Sequence, residues 1–188
     1  IGPDAARLPG VPELLARERL PAIPRAKLGV FVGNAWYPGG VRQTPWLDLA
    51  WQLGGEVGIA ALGDAAYTSP PGTAALTRLF AAANGPVLIL TDEVQNFINR
   101  HRSLADPFYA FLDNVVRAAT GTRHVAVVLS LPKSSVEMTQ YEQGWQARIT
   151  KIVKRVARDL IANEESEVSE GVRAACSRTL APRATAPR

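Results

Sequence analysis

The chain has 188 residues, of which 47% are hydrophobic and 20% charged, enough for one domain with a sizeable core and ordinary for a soluble globular protein. No stretch approaches the roughly 18 consecutive apolar residues of a membrane span, and Ile1-Gly2-Pro3-Asp4 lacks the basic and apolar parts of a secretory signal, so a cytoplasmic protein with no membrane partner is expected. The formal charge of +4 does not mark a nucleic-acid surface: residues 171–188 hold Arg173, Arg178, Arg183 and Arg188 and no acid, which leaves 17 basic against 17 acidic residues in 1–170.

Taken in order, residues 11–20 read as a helix carrying Leu14 and Leu15, stopped by Pro21 and Pro24. Lys27 to Val32 reads as a short buried strand ended by Gly33-Asn34. Thr44-Pro45 is an N-cap followed by proline at the first helical position. That helix runs to Leu53, where Gly54-Gly55 supplies a left-handed stop, and a second helix is expected over 56–66. A third runs from Thr73 to about Ala83 and ends at Asn84-Gly85-Pro86. Val87 to Leu90 and Val125 to Leu129 are continuous apolar runs, the pattern of strands covered on both faces. Between them Asp106-Pro107 starts a helix whose Phe108, Phe111, Leu112, Val115 and Ala119 form one apolar stripe, closed by Gly121. A long helix over 140–161 places Tyr141, Trp145, Ile149, Ile152, Val156 and Leu160 on one face. Apolar strands alternating with helices predict a three-layer α/β/α domain with a parallel sheet. Residues 171–188, rich in Ala, Arg, Pro and Thr without apolar periodicity, predict a disordered tail.

Ligands of open parallel sheets gather at the carboxyl ends of the strands, and there Asp92 and Glu93 directly follow the 87–90 run. Phosphoryl transfer uses such a pair. One carboxylate holds Mg²⁺, commonly through water, and the next orients and polarises the attacking water. The plainer alternative is a strand that ends at a helix N-terminus, where acids suit the macrodipole. Thr91 stands where an apolar residue is more usual. Ser130 is a polar residue at the tip of the following strand, where its plainer role is to satisfy a loop backbone group.

In order and spacing these residues resemble a prokaryotic family of large AAA-like P-loop ATPases often found in DNA-modification or phage-defence gene islands. The matching stretches are Leu8-Pro9-Gly10-Val11-Pro12-Glu13-Leu14-Leu15, Leu49 to Glu56, Pro71-Gly72-Thr73, Val87 to Glu93, Val128 to Pro132 and Arg155-Val156-Ala157-Arg158, over roughly residues 5–170. The resemblance implies an additional-strand P-loop core whose 28–32 strand is outermost, with the 86–90 strand beside it and the 125–129 strand next. It implies ATP and Mg²⁺ as ligands, Asp92 as the metal acid, Glu93 as the catalytic base and Ser130 as the sensor. A homo-oligomer, and DNA met through a larger complex, are the partners it suggests. The family carries its Walker A loop just upstream of residue 1, and no Gly-x-x-x-x-Gly-Lys-Ser/Thr occurs in this chain. With Ile1 in place of Met, and a tail that departs from the family after Glu170, a piece of a longer protein is expected.

Arg148, Lys151, Arg155 and Arg158 form a basic stripe on the 140–161 helix. Arg148 or Arg155 is the candidate arginine finger, also able to bind the nucleotide; the bland reading of the stripe is a solvated face. Trp46 and Trp51 are expected to pack. Trp36-Tyr37, in a Gly/Pro loop, is read as packing or as contact with an adenine or a partner. Cys176 alone excludes an internal disulfide, and His101 and His124 lack zinc-site spacing. A dehalogenase-like phosphatase would need an acid at Val94, and no Gly-x-Ser-x-Gly elbow occurs. The rival to an ATPase is a non-enzymatic α/β scaffold that binds protein or nucleic acid without a P-loop.

Overall fold

Three short runs of apolar residues, each too brief for a helix, pair side by side in the computed structural model, which describes residues 7–23, 25–40, 42–131 and 138–154. They are β1 (Lys27–Val32), β2 (Val87–Asp92) and β3 (Val125–Leu129), all parallel and ordered β1-β2-β3. Val30 stands opposite Leu90, and Leu90 opposite Val128. Parallel neighbours need crossovers. The first carries α2 (Pro45–Leu62), a 3₁₀ turn over Asp64–Tyr67 and α3 (Thr73–Ala82). The second carries α4 (Val94–Arg100), a 3₁₀ turn over Arg102–Leu104 and α5 (Ala105–Thr120). Two helices flank this unit in sequence, α1 (Val11–Arg17) and α6 (Gln140–Val153). The architecture is three-layer α/β/α on a parallel three-stranded sheet.

Most of the expected starts and stops hold. The Thr44 hydroxyl accepts the Leu47 N–H and Pro45 opens α2. The expected stop at Gly54-Gly55 is a kink rather than an end: Gly55 sits at φ 58° and ψ −137°, and the helix resumes to Leu62. Only glycine takes that backbone cheaply. Residues 64–67 then form a 3₁₀ turn instead of the last turn of a helix. The first helix stops at Arg17, short of Leu20, and buries none of its residues. The α4 helix, which the sequence offered only as the alternative reading of the two acids, follows Glu93 directly.

The layers are unequal. Continuous apolar strands predict cover on both faces, yet burial alternates along them. Val87, Ile89 and Thr91 are buried while Leu88 and Leu90 are half-buried. On that second face Leu28, Val30 and Val128 stay 40%, 37% and 44% exposed, in register with Leu88 and Leu90. The core lies on the first face, where α2 packs on β1, α5 on β3 and α3 between the helices. Phe31, Phe97 and Phe108 meet there at centroid distances of 4.5–5.3 Å. Trp46 is buried and donates its indole N–H to the Ala66 carbonyl at 2.6 Å, as a packing residue should. Trp51 stays 39% exposed.

The described elements all lie within residues Ile1–Val156. Arg155, Val156, Arg158, Leu160 and residues 132–137 and 171–188, the last of which were expected to be a disordered tail, lie outside the described residues. Among the described residues no helix is long and apolar enough to cross a membrane.

Candidate functional site

Asp92 is the last residue of β2 and is exposed at the carboxyl edge of the sheet. Its Oδ1 accepts the N–H of Glu93 at 2.9 Å. Glu93 adopts the left-handed conformation, φ 54° and ψ 32°, which turns the chain sharply from strand into α4. A non-glycine residue in that region is uncommon and costs conformational energy. The Glu93 side chain does not cap α4; its Oε2 accepts from the Asn96 amide instead. The alternative reading of the acids as residues at a helix N-terminus is therefore correct in position, though not as a side-chain cap.

Ser130 comes to the same edge. Its N–H donates to the Thr91 carbonyl at 2.9 Å, extending the β2–β3 ladder one step beyond β3 and setting Ser130 beside Asp92. Thr91 has a reason to stand before the acid. It is 6% exposed and its hydroxyl donates to the Val128 carbonyl at 3.1 Å, so a buried polar group is satisfied and the two strand tips are held together.

The loop after β1 closes the third side. The Gly33 N–H donates to the Asp92 carbonyl at 2.9 Å. A Cβ on Gly33 would stand 2.8 Å from the Glu93 carbonyl carbon and 2.9 Å from the Phe97 Cβ, so only glycine allows this approach. Arg100 on α4 reaches back to the Asn34 carbonyl. Sequence reasoning read Gly33-Asn34 merely as a strand end and passed over Asn96; a glycine at a strand tip was the available signal.

Arg148 makes its contacts away from this edge. Its guanidinium pairs with Asp106 at 2.9 Å and lies over the Trp145 and Tyr109 rings, 4.0 and 4.5 Å from their centroids. The stripe's first member is thus stacked on aromatic residues of its own domain rather than simply solvated. A cleft of about 600 Å³ is lined by Gln143, Gln146, Arg148, Lys151 and Lys154, and by none of Asp92, Glu93 or Ser130. Trp36 is buried against Phe97 and His101, whereas Tyr37 beside it is 81% exposed.

Comparison with protein-family models, curated proteins and solved structures finds no match.

His101 follows α4, and His124 immediately precedes β3 with φ 63°. Burial, and then the neighbouring Arg100 charge, lower the His101 pKa. No cluster of three or more His, Cys, Asp or Glu exists among the described residues. Asp92 at the strand tip could offer one carboxylate oxygen to Mg²⁺, an ion that takes one or two protein oxygens and fills its octahedron with water and phosphate oxygens.

Proposed function

We propose that this domain supplies the metal-binding and water-activating half of a P-loop ATPase of the additional-strand, AAA-like class. The observation that carries the reading is the juxtaposition of Asp92, which ends β2, and the adjoining Glu93 with Ser130, which follows β3, at the carboxyl edge of a parallel sheet. Asp92 is the Mg²⁺ acid; the metal, when bound with ATP, neutralises charge on the phosphates. Glu93 orients and deprotonates water. Its left-handed backbone turns it out of the strand direction, so the two carboxylates need not share one task. Ser130 senses the terminal phosphate. The cradle of backbone N–H groups and a P-loop lysine must come from a segment outside these 188 residues. Arg155, or Arg148 once freed from Asp106, is the arginine the reading offers to a neighbouring subunit in a homo-oligomer. The work that hydrolysis drives would be DNA-related or defensive.

Tested in a chain extended to include a P-loop, Glu93→Gln should keep ATP binding and abolish turnover. Asp92→Ala should weaken Mg²⁺-dependent binding itself. Hydrolysis by Glu93→Gln at the unmodified rate would refute the assignment of the base.

One observation favours the scaffold alternative: both tip acids already make hydrogen bonds within their own turn, Asp92 to the Glu93 N–H and Glu93 to Asn96. On that reading the acids shape the strand–helix corner, and the domain binds protein or nucleic acid. Loss of melting temperature in both acid variants, with no ATP binding by the extended chain, would select it.

A further inference from the structure

The outer edge of β1 is one of the two edges at which this three-stranded sheet could grow. β1 is the end strand, its side chains Leu28 and Val30 are apolar and more than a third exposed, and a strand edge offers unpaired N–H and C=O groups to another chain. A side chain from the neighbouring helix meets that edge. The Gln52 amide, from α2, accepts the Val30 N–H through Oε1 at 2.7 Å and donates through Nε2 to the Val30 carbonyl at 2.9 Å. A primary amide has the same donor and acceptor as a peptide unit, so Gln52 stands in for one residue of an absent fourth strand.

The fit depends on a second position. Gly29, the residue before Val30, has no side chain to hold α2 away: a Cβ there would collide with Leu49 and touch Leu53 at 3.4 Å. Both leucines lie on α2, on either side of Gln52 in sequence, and both are buried. Close approach of α2 to β1 over Gly29 brings the amide within reach of the edge. The kink at Gly55 follows three residues later, so α2 is straight where it must reach β1 and bends only beyond it.

We propose that Gln52 is an edge guard, a side chain that occupies the outward N–H and C=O of Val30, midway along the edge of β1, and keeps a second copy of this chain from adding to the sheet there. The inference does not rest on the ATPase reading, since it concerns the edge of β1 and not the strand tips.

The test uses the 188-residue chain. In Gln52→Ala the Val30 amide should exchange with solvent roughly tenfold faster, the change expected on losing one intramolecular hydrogen bond. Light scattering should show added concentration-dependent association. Placing Lys at position 30 in the same background (Gln52→Ala with Val30→Lys) should reverse that added association, because a charge at the edge blocks pairing. Gln52→Glu, which can accept but not donate, should fall between. Unchanged exchange at Val30 would overturn the proposal even if a variant folded poorly. So would association in Gln52→Ala that Val30→Lys leaves intact.

Discussion

Gly33 shows how little room the corner after β1 has. A methyl group there meets the backbone of Glu93 and the Cβ of Phe97, neither of which can swing aside. Gly33→Ala should therefore cost about 1–3 kcal/mol of stability, in the range of other overpacked sites, read as a lower denaturant midpoint. His101 carries a different liability. Its Nε2 is buried without a partner and its ring packs against Trp36 and Phe97. The folded pKa is lowered by burial and by Arg100, so the unfolded chain takes up the proton first. The neutral ring's contribution is complete above the unfolded value of about 6.5 and is lost as pH falls from there through the folded value. A pH series of denaturant midpoints should show this loss, and His101→Phe should flatten it. Equal slopes in both proteins would remove His101 as the cause.

Among the elements, α4 and α6 show how a site is framed from a distance. The capping box at the start of α6, formed by Thr139 and Glu142, follows the expected logic of a helix start. Glu142 then does more. Its carboxylate accepts from the Asn99 amide and its carbonyl accepts from the Gln95 amide at 2.7 Å, both on α4. The helix that begins at Glu93 is thereby fastened to the helix that follows β3 and Ser130. The Thr139 hydroxyl, the Thr139 backbone N–H and Asn99 lower the Glu142 pKa. That stabilisation is present above the unfolded value and disappears as pH falls through the folded one. Thr139→Ala should lose about 1 kcal/mol as an N-cap deletion. Glu142→Ala should lower the melting temperature further, because it also releases Asn99. A smaller effect for Glu142→Ala than for Thr139→Ala would show that the tie to α4 contributes nothing.

At the scale of the molecule, the unequal faces of the sheet decide how the domain meets its surroundings. Leu28, Val30 and Val128 form an exposed apolar row beside Leu88 and Leu90, and contiguous patches of this kind mark interaction sites or association. Val128→Lys should leave the melting temperature nearly unchanged, as surface substitutions within about 0.5 kcal/mol do, and should reduce binding of a hydrophobic dye. A large destabilisation would mean that Val128 is packed.

The sequence by itself determined the local structure and its order. Runs such as Val125 to Leu129 can be only short strands, Thr44-Pro45 can start a helix, and Asp92-Glu93 directly after an apolar run puts two acids at a strand tip, because these depend on residues adjacent in the chain. The parallel order β1-β2-β3 agrees with the expected succession of strands. It did not determine which apolar faces are covered, since an apolar strand reads alike whether one face or two meet a partner. Nor did it show that Gln52 grips Val30 across 22 residues, that Thr91 binds Val128 across 37, or that Arg148 is engaged by Asp106 across 42. Those were decided by tertiary structure alone. A polar side chain's partner is whatever the packing of remote elements brings within about 3 Å, and no local pattern encodes that distance.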